Sequence, residues 1–338
     1  MPSGRHTVVD GQVRLLTKVA RMYHERGIRQ ADIATALNIS QAKVSRLLKR
    51  AAAQGIVRTT VMVSPGLYSD LEEQLEAKFG LLEAVVVDIE NDDDELAVHS
   101  ALGAAAGSYL EATLGGGDRI GISSWSQTLL ALVDRMRPFT VGGAAEVVQL
   151  LGGIGTPEVQ NQAQRLAGEF ARMLGAKPVY VPAPGVVADR ATRDSLLQDV
   201  ALTEVTRRWS ELTMAVVGIG SIEPSDLLAE SGNAFSPQDL ERLLAAGAVG
   251  DICHHVFTAD GTSVTGDLAS RTISIPVENF LSIPRRMGVA GGRRKREPIR
   301  GALAGGWVNV LVTDIHTAEA LVAPDSSAAD PLPVGLTP

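Results

Sequence analysis

Apolar residues near the start of the chain recur at helical spacing. Val13, Leu16, Ala20 and Tyr23 mark a first helix that Gly27 closes. A short second helix over residues 30–38 puts Ile33, Ala34 and Leu37 on one face, and Asn38 tolerates the left-handed backbone that a tight turn demands. Ile39 plugs that turn. Ser40 is an N-cap for a third helix with Val44, Leu47, Leu48 and Ala51 facing inward, which leaves Gln41, Lys43, Ser45, Arg46 and Lys49 outward. Gly55 ends the third helix, and residues 56–63 alternate as a short strand or wing. The spacing predicts a helix-turn-helix whose third helix enters a DNA major groove.

Ser64-Pro65-Gly66 is a breaker cluster, followed by a helical pattern over residues 68–79 with Leu71, Leu75 and Phe79 on one side. Beyond it, apolar runs (84–89, 119–122, 147–151, 178–181, 214–219, 272–277, 286–290, 307–313) interleave with helical patterns (97–114, 128–136, 160–174, 298–304). Alternation of this kind predicts an α/β domain, Rossmann-like, with a mostly parallel sheet covered on both faces and ligands gathered at the C-terminal ends of the strands. Residues 324–338 read as a disordered tail.

The chain of 338 residues is 45% hydrophobic and 21% charged, ordinary for a globular protein of more than one domain. No apolar stretch reaches the roughly 18 residues a bilayer span requires, and no signal-peptide core follows the early basic residues, so no membrane partner and a cytoplasmic location are expected. Cys253 is the single cysteine and has no disulfide partner within the chain. Charge is uneven. Residues 1–60 hold eleven Lys and Arg against three acidic residues, whereas the remainder holds twenty against thirty-six. A compact basic module on an acidic body suits the phosphate backbone of DNA, because counterion release rewards local positive charge. The alternative for such a module is a solvated basic face or a protein-docking bundle. Arg46 can fork to a guanine and Gln41 to an adenine, and either can equally hold phosphate.

Four strand ends carry suggestive loops. Residues 121–128, Gly-Ile-Ser-Ser-Trp-Ser-Gln-Thr, run into a helix N-terminus where free N–H groups and hydroxyls make an anion site or simply cap the helix. Residues 150–157 form a glycine turn ahead of a helix containing Asn161. Gly250-Asp251 precedes a strand over residues 254–258, with Asp251 a cap or a ligand. Residues 290–296, Ala-Gly-Gly-Arg-Arg-Lys-Arg, place four cations at a helix N-terminus, against the helix dipole unless an anion binds there. No P-loop, no G-x-S-x-G elbow and no complete G-x-G-x-x-G is present. His254 and His255, on one strand, would face opposite sides and belong to core or interface.

The segment from Gln30 to Arg46, the Gly-Ile-Ser-Ser-Trp-Ser-Gln-Thr turn, Leu-Leu-Gly-Gly, Gly-Asp-Ile and the run from Gly-Gly-x-x-Lys to Asn309-Val-Leu-Val-Thr-Asp314 occur in the order seen in one family. Over residues 12–322 the chain resembles the SorC (SorC/DeoR-type) bacterial sugar-responsive transcriptional regulators. The resemblance implies a helix-turn-helix DNA-binding domain (1–62), a linker with a helix (63–83), and an effector-binding and oligomerisation domain (84–323) that resembles sugar-phosphate isomerases and deaminases. It implies operator DNA as partner, contacted by Gln30, Gln41, Lys43, Ser45, Arg46 and Lys49. A homo-oligomer, dimer or tetramer, and a sugar, polyol or sugar-phosphate effector are also implied, with no cofactor and no metal. The implied effector residues are Gly121, Ser123, Ser124, Thr128, Gly153, Asn161, Asp251 and Lys295: Ser123, Ser124, Thr128 and Lys295 toward phosphate, Asn161 and Asp251 toward sugar hydroxyls. Ser126 departs from the family's glycine, and Gln127 from its frequent cation. A bulkier turn crowds a phosphate, which keeps an unphosphorylated polyol or sugar open. The rival reading is a sugar-phosphate isomerase or deaminase with a fused DNA-binding module, which lacks a convincing base and nucleophile set.

Overall fold

A computed structural model describes residues 11–57, 67–123, 126–153, 157–222 and 236–324, with the side chains of residues 157–163 left aside. The chain divides into two compact units, one before and one after residue 64.

In the first unit, α1 (Gly11–Ala20) runs into a π-helical turn (Arg21–Glu25), followed by α2 (Gln30–Leu37) and α3 (Gln41–Ala53). Its core is Leu16, Val19 and Ala20 from α1, Ile33 and Ala34 from α2, and Val44, Leu47, Leu48 and Ala51 from α3. Each large aliphatic side chain buried here contributes about 1.5–3 kcal/mol. Asn38 adopts the left-handed conformation (φ 50°, ψ 47°), and Ser40 Oγ accepts from Lys43 N at 3.2 Å. The face expected for the first helix is corrected at its ends: Val13 and Tyr23 are exposed, and Val19 takes the inward place. The π turn adds a residue to the helical repeat, so Tyr23 is rotated out of the phase set by Leu16 and Ala20.

The second unit begins with α4 (Ser69–Phe79) and continues β1 (Glu83–Val87), α5 (Glu95–Thr113), β2 (Asp118–Ile122), α6 (Gln127–Arg135), β3 (Ala144–Gln149), α7 (Pro157–Leu174), β4 (Lys177–Val179), α8 (Arg190–Leu197), α9 (Val200–Trp209) and β5 (Met214–Val217). Then follow β6 (Gly220–Ser221), α10 (Pro237–Ala245), β7 (Ala248–Ile252), β8 (His255–Thr258), α11 (Asp267–Ser270), α12 (Val277–Ser282), β9 (Arg285–Val289), α13 (Arg296–Ala304), β10 (Val310–Asp314) and α14 (Ile315–Val322). Seven strands form one parallel sheet in the order β1-β10-β9-β5-β2-β3-β4. Both faces are buried: Ala215 and Val217 of β5 join one core with Trp209 and Ile299, while Met214 and Val216 join the other with Leu102 and Phe170. Strand residues therefore read as continuous apolar runs rather than as alternating ones.

From β2 the chain builds outward through β3 to β4, then returns so that β5 pairs with the other edge of β2 and β9, β10 and β1 follow. The connections diverge between β2 and β5. That switch point opens a crevice beyond the strand C-termini.

Two expectations are corrected. Residues 272–277 form no strand of the sheet; they make isolated bridges, Leu151 with Ser274 and Val186 with Thr272. Gly250-Asp251 lies inside β7 of a separate antiparallel sheet, β6-β7-β8, not in a loop before a strand. The hairpin turn is Cys253-His254, both with positive φ (52° and 62°). Hairpins of this geometry ordinarily carry Asn-Gly, so their sequence signal is absent here. Among the described residues no helix is long and apolar enough to cross a membrane.

Candidate functional site

The crevice at the switch point holds a cavity of about 200 Å³ lined by six segments. The β1–α5 loop supplies Asp92 and Asp93, and α5 adds Glu95, Val98 and His99. The β2–α6 turn supplies Ser123, Ser126, Gln127 and Thr128, the end of β3 gives Leu151, and residues 218–222 follow β5. The β7–β8 hairpin contributes Asp251, Cys253 and His254, and the β9–α13 loop closes the ring with residues 289–295.

Its two glycine-bearing walls are fixed by carboxylates. Asp314, fully buried at the end of β10, caps α14 by accepting from Thr317 N at 2.8 Å, and its Oδ2 accepts from Gly292 N at 2.7 Å. A Cβ on Gly291 would collide with that same oxygen, so only glycine lets the loop close on Asp314. A Cβ on Gly220 would likewise collide with Asp251 Oδ1. The other oxygen, Asp251 Oδ2, accepts from His254 N at 3.1 Å and holds the left-handed turn.

The run of four cations is resolved one residue at a time. Arg293 meets Asp93 at 3.2 Å and Asp92 at 3.7 Å, Arg294 meets Glu95 at 2.9 Å, and Arg296 meets Asp92 at 2.5 Å. Three of the four thus need no bound anion, which corrects the expectation that the whole run opposes the helix dipole. Lys295 has no carboxylate within ion-pair distance among the described residues, and it lines the cavity. Loss of hydration pulls its ammonium down to about 8; Arg294 pushes the same way, and Asp251 and Glu95 oppose.

Ser123 Oγ accepts from Gly218 N at 3.2 Å and so ties the ends of β2 and β5 across the switch point. His99 Nδ1 lies 2.9 Å from Thr128 Oγ1. Burial lowers the imidazole's proton affinity; Lys295 adds to that and Glu95 opposes it. His254 is also held toward the neutral form by burial, against the pull of Asp251. Ser126 Oγ turns back to accept from Leu129 N at 3.3 Å.

Of the expected effector residues, Ser123, Thr128, Asp251 and Lys295 come together around this cavity. Gly121 and Gly153 do not line it. Gly121 lets Leu150 and Leu212 pack on β2, and Gly153 bonds the segment after β4, its N–H to Ala183 O at 2.8 Å. Ser124 lies outside the described residues, as does the side chain of Asn161. Asp92, Glu95, His99 and His254 were not anticipated as site residues. His99 carried no clear signal, standing beside another polar residue, Ser100, between Val98 and Ala101.

In the first unit Gln41, Lys43, Arg46 and Lys49 are exposed on α3, and Gln30 and Ser45 are half-buried. Arg46 Nε bonds its own helix at Ala42 O, 3.3 Å.

A helix-turn-helix unit followed by a doubly wound sheet with a charged cavity at its switch point defines a ligand-responsive DNA-binding protein. The family model described as "Putative sugar-binding domain" matches residues 64–323. The chain is 34% identical over 309 residues to the deoxyribonucleoside regulator of Bacillus subtilis (strain 168), covering 91% of this chain and 97% of that protein. It is 31% identical over 314 residues to the sorbitol operon regulator of Klebsiella pneumoniae, covering 92% and 98%. Among solved structures, the full-length sorbitol operon regulator SorC from Klebsiella pneumoniae matches with a TM-score of 0.69 at 30% identity, over 93% of this chain and all of that one. The chain belongs to the SorC family of sugar-binding transcriptional regulators. These relatives are regulators and not enzymes, so the protein is a transcriptional regulator rather than a sugar-phosphate isomerase or deaminase.

Proposed function

We propose that the protein controls a carbohydrate, polyol or nucleoside catabolic operon by binding its operator through α3 and a phosphorylated sugar in the switch-point cavity. Lys295 carries the reading: a cation that the acidic β1–α5 loop and the start of α5 leave unmatched while matching its three neighbours, set in the wall of the cavity. An anionic group on the effector is its counterpart. Asp251 accepts from sugar hydroxyls, and Ser123, Ser124, Thr128 and Asn161 complete the polar contacts. Ser126, turned onto its own helix, is compatible with a phosphate beside it.

Gln30, Gln41, Lys43, Ser45, Arg46 and Lys49 contact DNA in this reading. One recognition helix covers few bases, so a homo-oligomer on a palindromic operator, with half-sites one helical turn or a multiple apart, follows. Effector and operator are coupled only if the effector prefers one DNA-binding state, by about 1–3 kcal/mol, and the coupling is reciprocal.

The test is a titration of the full-length protein on labelled operator DNA with matched sugars, polyols and their phosphates. The expected result is that a phosphate ester shifts operator affinity in the wild type and not in Lys295→Ala. A response to an uncharged sugar that persists in Lys295→Ala overturns the assignment.

A further inference from the structure

We propose that the cavity is built for an effector bearing one anionic group and turns away ligands bearing two, an inference that rests on the assignment of Lys295 to the effector's anion. The charges around the cavity leave room for one. Arg293 and Arg294 line it, but each is already held by carboxylates of the β1–α5 loop and the start of α5, at 3.2 Å from Asp93 and 2.9 Å from Glu95. Both pairs are solvent-exposed, and an arginine recruited to a ligand keeps Asp93 or Glu95 beside the bound anion at the edge of the same cavity, so its attraction is largely offset by the neighbouring negative charge. Asp92, the third carboxylate of that wall, is held by Arg296, so with these pairs set aside Lys295 and Asp251 are the charged lining groups left among the described residues.

Asp251 is fixed in place. One oxygen accepts from His254 N, and the other lies where a side chain on Gly220 would stand. It cannot rotate away from an approaching anion without releasing the Cys253-His254 turn. The titratable rings on the lining, His99 and His254, are held toward the neutral form by burial and bring no second positive charge. A first anionic group therefore meets Lys295 and a hydroxyl-bearing body meets Asp251, whereas a second anionic group meets a carboxylate. Like charges brought together in a partly enclosed cavity repel more strongly than in open water. The class selected is a polyhydroxylated ligand with a single anionic group, such as a sugar carrying one phosphate, over bisphosphates and nucleoside diphosphates.

The test uses two probes free of sugar stereochemistry, inorganic phosphate and pyrophosphate, titrated calorimetrically into the full-length protein at pH 7 and constant ionic strength. Phosphate is expected to bind in a Lys295-dependent manner and pyrophosphate at least tenfold more weakly, although its higher charge ordinarily favours a cationic site. Asp251→Asn, which keeps shape and removes charge, and Glu95→Gln, which frees Arg294, should each raise pyrophosphate affinity relative to phosphate by at least tenfold. Pyrophosphate binding the wild type as tightly as phosphate, with both lost in Lys295→Ala, overturns the inference and leaves the anion assignment standing. An unchanged ratio in both variants shows exclusion by size and also overturns it. If neither ion binds and Lys295→Ala behaves as wild type, the anion assignment itself falls, and the inference with it.

Discussion

The molecule carries two cationic clusters, and the structure treats them in opposite ways. On α3, Lys43, Arg46, Lys49 and Arg50 point outward, and among the described residues none has a carboxylate within ion-pair distance. Before α13, Arg293, Arg294 and Arg296 are each matched by Asp92, Asp93 or Glu95, and only Lys295 is left. The first arrangement suits a long polyanion that must be gripped over many phosphates, since each contact adds a modest, salt-sensitive increment. The second suits a small anion that must be recognised once. A run of cations in a sequence is therefore ambiguous until the carboxylates that fold against it are known.

The largest expected effect tests the second cluster. Lys295→Ala should weaken an anionic effector by about 3 kcal/mol, roughly a hundredfold, because it removes a charged partner in a partly desolvated cavity. Effector titration by calorimetry measures it. A loss below threefold would erase the distinction between Lys295 and its arginine neighbours.

Next comes the first cluster. Arg46→Ala should lower operator affinity by about 1–3 kcal/mol if it reads a base, and only for sequences carrying that base. Lys49→Ala should weaken all DNA alike and lower the salt slope by about 0.9. Affinities on operator and on scrambled DNA across salt concentrations separate the two. Equal behaviour of the variants would mean that α3 holds backbone throughout.

How far the two clusters could be read in the sequence follows from the same difference. The helix-turn-helix is written within some forty consecutive residues, so Ile33, Ala34, Asn38, Ser40, Val44 and Leu47 declared both helices, the turn and the outward face. The effector cavity is assembled from segments about two hundred residues apart. Loops at strand ends pointed to Ser123, Thr128 and Lys295, and Asp251 reached the same cavity from inside β7, but nothing local to Arg293 or Arg294 announced that Asp93 and Glu95 would neutralise them. His99 escaped too, although its partner Thr128 is only 29 residues on, because the pairing exists only where α5 packs against α6. Gly121 falls outside the cavity lining for a related reason: a glycine that permits close packing and one that lines a ligand look alike in one dimension. Cys253-His254 escaped because the chain makes a left-handed hairpin turn without the residues that normally signal one.

A smaller effect distinguishes the clusters by pH. Burial and Arg294 hold Lys295 down to about 8, so it is mostly charged at pH 7 and mostly neutral at pH 9. A bound anion raises that value, so binding takes up a proton above pH 8. Effector affinity should then fall as pH rises past 8, by up to about tenfold per unit. Operator binding through α3 does not involve Lys295, so it should not follow the same pH dependence. Parallel loss of both activities between pH 8 and 9 would point to unfolding instead.

The smallest predicted effect compares two serines that do the same local work. Ser40 caps α3 by accepting from Lys43 N at 3.2 Å, and Ser126 caps α6 by accepting from Leu129 N at 3.3 Å. Each leads into a helix whose first turn, in the proposed reading, presents side chains to a ligand, DNA in one unit and the effector in the other. Replacing either by alanine should cost about 1 kcal/mol, with threonine restoring most of it, since the hydroxyl is what the orphan amide needs. Stability alone would make the two changes alike. Their functional costs should instead part company: Ser40→Ala should weaken operator binding and spare effector affinity, because the start of α3 frays where Gln41 and Lys43 sit, while Ser126→Ala should do the reverse through Gln127 and Thr128. Unfolding curves together with the two titrations on each variant measure this, and a Ser126→Ala protein with unaltered effector affinity would remove the α6 turn from the effector site.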